Sequence, residues 1–225
     1  MNSPSGISQV EIDEPRRRRK LAHLLRVLAA AALAVTAIGV GASAAMAYGT
    51  PLACASRSEA PVFSPWGDMA TYFLISNGNF ESGSANWALS GGAAVVTGNE
   101  PYRVGGASDS HSLRLPPGAS AESRTLCVSV GEDGIRLFVK NPHVSGAILH
   151  VDATVQNPVT GAYGYSAFDV NGDVPSAPWA PTMRLNVPKL FGGNGTENLT
   201  IRFTLRGTPA TWAVDDVYVD PFKSW

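Results

Sequence analysis

Charge is scarce in this chain, and cysteine nearly absent. Only 16% of the 225 residues are Asp, Glu, Lys or Arg, and the formal net charge is −1. Beyond residue 47 there are eleven Lys and Arg against fifteen Asp and Glu. A nucleic acid or an anionic membrane surface needs a basic field, so neither is expected as a partner. Two cysteines are too few for a four-cysteine zinc site or a disulfide-dense miniature scaffold. Of the four histidines, His111, His143 and His150 lie beyond the leader and show no metal-ligand spacing. A G-x-S-x-G elbow is missing, which removes the nucleophile turn of one large hydrolase class. Asp109, Ser110 and His111 are adjacent in sequence, whereas catalytic triads are assembled from distant positions. From Leu74 onward no segment keeps the period of a long amphipathic helix.

What is present begins with a leader. Arg16 to Lys20 form a basic cluster, and Val27 to Ala47 run without charge and end in Ala45-Met46-Ala47. Basic n-region, apolar h-region and small-residue cleavage site make residues 1–47 an expected signal peptide and the chain a secreted, extracellular or surface-associated one. The competing reading is an uncleaved membrane helix, the one route by which a membrane becomes a partner. Ten of those 21 residues are Ala and six are Leu, Ile or Val. That weakly apolar run favours cleavage after Ala47 over a permanent anchor. In an exported chain two cysteines pair with each other, so Cys54 and Cys127 are expected to form a structural disulfide.

Beyond the leader, alternation with period two dominates. Leu199, Ile201, Phe203 and Leu205 alternate with Thr200, Arg202, Thr204 and Arg206, and Leu149, Val151, Ala153 and Val155 with His150, Asp152, Thr154 and Gln156. Ile135, Leu137 and Val139, then Met183, Leu185 and Val187, and finally Leu113 and Leu115 read as further inward sets. Antiparallel strands with one buried and one wet face have this pattern. Turn signals such as Pro116-Pro117-Gly118, Asn141-Pro142 and Asn157-Pro158 separate them. Asn171-Gly172 reads as a hairpin turn, not an EF-hand loop, because Val174 stands where that loop needs Gly. The fold class is therefore all-β, an antiparallel two-sheet β-sandwich of jelly-roll type with one disulfide. Residues 48–70 are expected as an N-terminal extension carrying a first strand, and 71–225 as the sandwich domain.

Two motifs bracket that domain. Asn77-Gly78-Asn79-Phe80-Glu81-Ser82-Gly83 with Trp87 opens it, and Trp212-Ala213-Val214-Asp215-Asp216-Val217-Tyr218-Val219 closes it. Together with Ser112-Leu113-Arg114-Leu115, they resemble the opening, S-L-x-L and closing strands of carbohydrate-binding modules of the galactose-binding-domain-like jelly-roll type. The chain also resembles exported actinobacterial proteins that carry the same cysteine pair. The resemblance implies a structural calcium ion between Glu81 and a carboxylate of the last strand. Alternation breaks at Asp215-Asp216; Asp215 is the preferred ligand. Phe80 and Trp87 are expected as core anchors, since large rings beside a strand start bury much area.

The wet face of the sheet is the candidate binding surface. His150, Asp152, Gln156, Arg202 and Arg206 project polar groups there, and Tyr163, Tyr165 and Trp179 are the rings not needed inside. Arg184 and Asn186 extend the row. The expectation is a non-catalytic protein that binds a polysaccharide or cell-envelope glycan. A structural or adhesive surface protein that meets another protein is the alternative, and a secreted hydrolase the third class.

Overall fold

The chain divides into Met1–Ala47 and Tyr48–Trp225. The computed structural model describes residues 54–129, 132–173, 178–188, 190 and 196–220. The expected signal peptide lies outside the described residues.

Two antiparallel sheets pack face to face. One contains β10 (Trp179–Pro181), β7 (Gly134–Lys140), β13 (Trp212–Asp220), β4 (His111–Leu115) and β3 (Ala94–Thr97) in that order, with β1 (Phe73–Leu74) on β13 and β11 (Leu185–Asn186) on β7. The other runs β2 (Trp87–Ser90), β5 (Ser120–Ser123), β12 (Thr196–Gly207), β8 (Ala147–Gln156) and β9 (Tyr163–Asn171), with β6 (Leu126–Ser129) also on β12. Most connections pass from one sheet to the other, which makes the sandwich a jelly roll. These two layers are called the β13 sheet and the β12 sheet.

The alternating strands of the β12 sheet fold as their pattern dictates. β12 and β8 pair without a slip from Asn198 opposite Gln156 to Gly207 opposite Ala147. A one-residue slip would turn the whole apolar set outward. Leu149, Val151, Ala153, Val155, Leu199, Ile201 and Phe203 are buried and meet Leu113, Leu115, Ile135, Leu137 and Val214 of the opposite sheet in one core. Leu185 and Val187 join that core, but Met183 is 84% exposed. β11 spans only Leu185–Asn186, so the alternation does not reach back to Met183.

The opening motif is a turn stitched to the core. Asn77, at φ 55°, donates from Nδ2 to the carbonyls of Gly83 and Ala85 at 2.8 Å each, and its Oδ1 accepts from Ser82 N. Its own carbonyl accepts from the indole Nε1 of Trp87 at 3.0 Å. Phe80 and Trp87 are buried, with ring centroids 5.1 Å apart, and Trp87 stacks on Phe203 at 5.6 Å. Both rings are core anchors. Phe80 sits at φ 56°, a left-handed conformation that costs a bulky residue about 1–2 kcal/mol; burial of its ring offsets that cost. Gly78 serves close approach, since a Cβ there would lie 2.6 Å from the Val217 carbonyl.

Part of the β13 sheet, around β7 and the second half of β13, is covered on both faces. Phe63, Tyr72, Phe138, Trp179 and Tyr218 form a second apolar cluster on its outer side, with Phe63 stacked on Phe138 at 5.7 Å. The Arg136 guanidinium lies 4.3 Å from the Phe63 ring and bonds Asp68 Oδ2 at 2.8 Å. Here the N-terminal extension departs from expectation. Its described part carries no strand, only the 3-10 turn Ser64–Trp66 and one bridge from Ala60 to Tyr72. The disulfide expected between Cys54 and Cys127 is present and fastens this segment to β6.

Asn171-Gly172 does not make a hairpin. Strand β9 ends at Asn171, and the next strand, β10, pairs with β7 in the other sheet.

Candidate functional site

The outer face of the β12 sheet is built from the even positions of β8 and β12 and the odd positions of β9. Cross-strand register places Asp152 between Arg202 and Ala167, Thr154 between Thr200 and Tyr165, and Gln156 between Asn198 and Tyr163. Tyr163 and Tyr165 are 62% and 53% exposed, on one side of β9 and two residues apart. Among the described residues, edge strand β9 pairs with no second strand that would bury them.

Tyr165 is fixed in place, not free. Its hydroxyl donates to Asp152 Oδ1 at 2.5 Å, and the same oxygen receives His150 Nε2 at 2.9 Å. The other ring nitrogen, His150 Nδ1, meets Asp169 Oδ1 at 2.5 Å. A neutral imidazole carries one N–H and satisfies one carboxylate; the protonated ring satisfies both. The hydrogen bond to Asp152 and that carboxylate's charge hold the Tyr165 phenol above its ordinary range. Tyr163 Oη stands 3.4 Å from Thr154 Oγ1. Arg202 faces Glu122 at 3.9 Å, and Arg206 is exposed on the same face, opposite Ile148.

Tyr163, Tyr165, His150, Asp152, Gln156, Arg202 and Arg206 therefore share a face. His150 is only 3% exposed, so it acts on that surface through the carboxylates around it. Trp179 does not belong there. It is 9% exposed, on β10 of the other sheet, packed with Phe138 and Tyr218. Arg184 is also elsewhere, paired with Asp133 and Asp220.

The carboxylates of the bracketing motifs lie in separate settings. Glu81 accepts from Ser110 N at 2.7 Å, His111 N at 2.6 Å, Ser110 Oγ at 3.2 Å and His111 Nδ1 at 2.9 Å. Those donors outweigh burial and hold its carboxyl below the usual range. Asp215 is fully buried and accepts from Glu100 N at 3.2 Å and Asp216 N at 2.9 Å. Its acidic neighbours are Asp216 and Glu100. Donors thus occupy both oxygens of each residue, and no contact joins Glu81 to Asp215. This pair does not fit a shared calcium ion, and among the described residues no three His, Cys, Asp or Glu side chains converge as a metal set.

Sequence reasoning missed what surrounds Asp215 instead. A bulge between Asp215 and Tyr218 places Asp216 at φ 48° and turns both aspartates inward. Asp216 Oδ2 accepts from Gly105 N at 3.0 Å, while its buried Oδ1 has no hydrogen-bond partner. Glu100 is buried beside it and accepts from Tyr102 N and Val104 N. Asp109 closes the group, held by Asn79 Nδ2 at 3.3 Å. A Cβ on Gly105 would fall 2.3 Å from Asp216 Oδ1 and 2.5 Å from Asp109 Oδ2, so only glycine fits between them. Burial and the adjoining Asp216 push Asp215 up to about 9; burial, opposed by the Gly105 amide, then Glu100 and Asp109, bring Asp216 to about 7.

No protein-family model and no curated protein matches the chain. Among solved structures, it is similar to the carbohydrate-binding module TmCBM61, solved with β-1,4-galactotriose. Identity is 17% and the TM-score 0.42, over 66% of this chain and 97% of that one. A non-crystalline-cellulose-specific module, CBM28, aligns at 14% identity and TM-score 0.44, over 66% of this chain and 95% of that one. The enzymatically active domain of bacteriophage CBA120 tailspike protein 4 aligns at 20% identity and TM-score 0.44, over 65% of this chain and 21% of that one.

Proposed function

We propose that the protein binds a carbohydrate chain on the outer face of the β12 sheet, without acting on it chemically. The observation that supports this reading is the pair of exposed rings, Tyr163 and Tyr165, on one side of edge strand β9, with Tyr165 held by Asp152. A sugar ring offers an apolar C–H face and a rim of hydroxyls. Tyrosine supplies a flat apolar body with a polar tip at little entropic cost. The neighbouring Asp152, Gln156 and Arg202 supply acceptors and donors for hydroxyls in the next two strands. The Asp169–His150–Asp152 chain sets one platform before the ligand arrives, which reduces the ordering cost of binding.

Affinity electrophoresis through gels of soluble neutral polysaccharides tests the proposal. Tyr163→Ala and Tyr165→Ala are each expected to weaken retention by about tenfold, the equivalent of ~1.4 kcal/mol. Met183→Ala, at an exposed site in the connection between β10 and β11, is expected to change nothing. Full retention of the double tyrosine variant on every gel that retards the native protein would sink the reading. So would native protein that no polysaccharide retards.

A further inference from the structure

The β13 sheet carries a feature that the tyrosine face does not use. On its outer side, beyond the aromatic cluster, lies a groove of about 340 Å³ bordered by Arg114, Lys140, Trp179, Ala213, Ser112 and Asn99. Register explains its shape. Ala213 on β13 pairs with Arg114 of β4 on one flank and with Lys140 of β7 on the other, and Lys140 in turn pairs with Trp179 of β10. Strands stand about 4.8 Å apart, so two long cationic side chains flank one methyl group across roughly 10 Å. The small floor makes the groove; the cations are its walls.

Those cations lack counter-charges. Arg57, Arg136, Arg184 and Arg202 each face a carboxylate. Arg114 and Lys140 are exposed, and among the described residues neither side chain has a hydrogen-bond or ion-pair partner. Two like charges beside one cavity repel one another unless an anion joins them. Arg103, Arg124 and Arg206 also face no carboxylate among the described residues; what distinguishes Arg114 and Lys140 is that both border one concavity, where a single anion can meet the two of them. The Arg114 fork can grip two oxygens of one group, and Lys140 adds a point charge from the far wall. Trp179, beside Lys140, closes that end of the groove.

We propose that this groove binds an oxyanion carried on a sugar chain, the carboxylate of a uronic acid or a sulfate ester, between Arg114 and Lys140. The site lies on the opposite sheet from Tyr163 and Tyr165 and stands whether or not those rings bind sugar.

Affinity electrophoresis at low salt, through polygalacturonate, dextran sulfate and uncharged dextran, tests it. The native protein is expected to be retarded by an anionic gel. Retention should weaken as salt rises and fall at least about tenfold in the Arg114→Gln/Lys140→Gln variant. Retardation by polygalacturonate alone assigns a carboxylate, and by dextran sulfate alone a sulfate ester. The Tyr163→Ala/Tyr165→Ala variant should keep its anionic retention. Equal retardation of the double cation variant, loss of anionic retention in the tyrosine variant, or no retardation of the native protein by either anionic gel overturns the proposal. A second measurement needs no variant. Lys140 in the native protein should be protected from acetylation by the polymer that retards it, and unchanged labelling of Lys140 in its presence overturns the proposal equally.

Discussion

In chelator-containing buffer the protein is expected to be several kcal/mol more stable at pH 5 than at pH 8, the reverse of what ion-paired carboxylates held low in the folded state would give. The cause is the buried acid group under the 98–110 loop. Burial and the adjoining carboxylates push Asp215 up to about 9 and Asp216 to about 7 in the folded chain, against about 4 for an aspartate in water. Below pH ~4 both folded and unfolded chains hold these protons, and the folded state has its full stability. As pH rises the unfolded chain releases its protons first, so stability falls through pH 7 towards 9 and levels off above. Each pH unit in that window is worth about 1.4 kcal/mol per group. Taken independently the two groups would lose about 7 kcal/mol between pH 5 and pH 8; their repulsion is mutual, so counting that shared part once leaves a loss on the order of 3–4 kcal/mol for the pair. Asp109, Glu132 and Glu197, also raised by burial, act with the same sign. Asp68 and Glu81 are held low and act oppositely, losing their contribution only as pH drops below about 4.

Urea unfolding at the two pH values measures this directly. Asp216→Asn sharpens it, because the amide keeps an acceptor for Gly105 N, removes the charge, and offers a donor where Oδ1 has no partner. Asparagine also tolerates the left-handed backbone at this position. The variant should gain about 1–3 kcal/mol at pH 8 and little at pH 5. A higher unfolding midpoint at pH 8 than at pH 5 in the native protein contradicts this account. Equal destabilisation of Asp216→Asn at both pH values does so too.

Replacing both cysteines by serine should remove about 4 kcal/mol. Cys54 and Cys127 are 73 residues apart, and cross-linking a loop of that length restricts the unfolded chain by roughly this amount in the chain-entropy model. The folded state adds a reason to expect the full effect. The disulfide holds the start of the N-terminal extension on β6, and that extension supplies Phe63 and Tyr72 to the outer cluster of the β13 sheet. Arg57 follows, with its guanidinium 3.9 Å from the Phe73 ring and bonded to Glu132 at 3.1 Å. Denaturant midpoints of oxidised, reduced and double-serine protein provide the measurement. A double-serine variant within 1 kcal/mol of the native protein would show that packing alone holds the extension.

The β12 sheet was legible because one of its faces is wet. Leu199 to Arg206 and Leu149 to Gln156 announce strand, register and facing in one pattern, and the structure follows it residue for residue through Phe203. The β13 sheet was not, because the N-terminal extension covers part of its outer side. Phe138 and Arg136 occupy positions that alternation assigns to water, yet both are buried. Trp179 misled for the same reason: nothing local marks a ring that is wrapped from a hundred residues away. The acid group was hidden by distance as well, since Glu100 reaches Asp215 across 115 positions and Gly105 reaches Asp216 across 111. The bulge at Asp216 left one trace in the sequence, the failure of alternation at the Asp-Asp pair. The tyrosines were readable as spare rings, although the His150 relay that orients Tyr165 was visible only as scattered polar residues.

The double coverage within the β13 sheet has a kinetic meaning. Every residue of β13 except Ala213, and every residue of β7 except Lys140, is buried, whereas β9 has no buried residue. Backbone amides of β7 and β13 can meet deuterium only when the whole domain opens, so their exchange should track global unfolding and share its pH dependence. Amides along β9 should exchange through local fraying, orders of magnitude sooner. The domain is thus expected to open slowly at β7 and β13 and to fray sooner along β9, where the bond from Tyr165 to Asp152 of β8 tethers the edge.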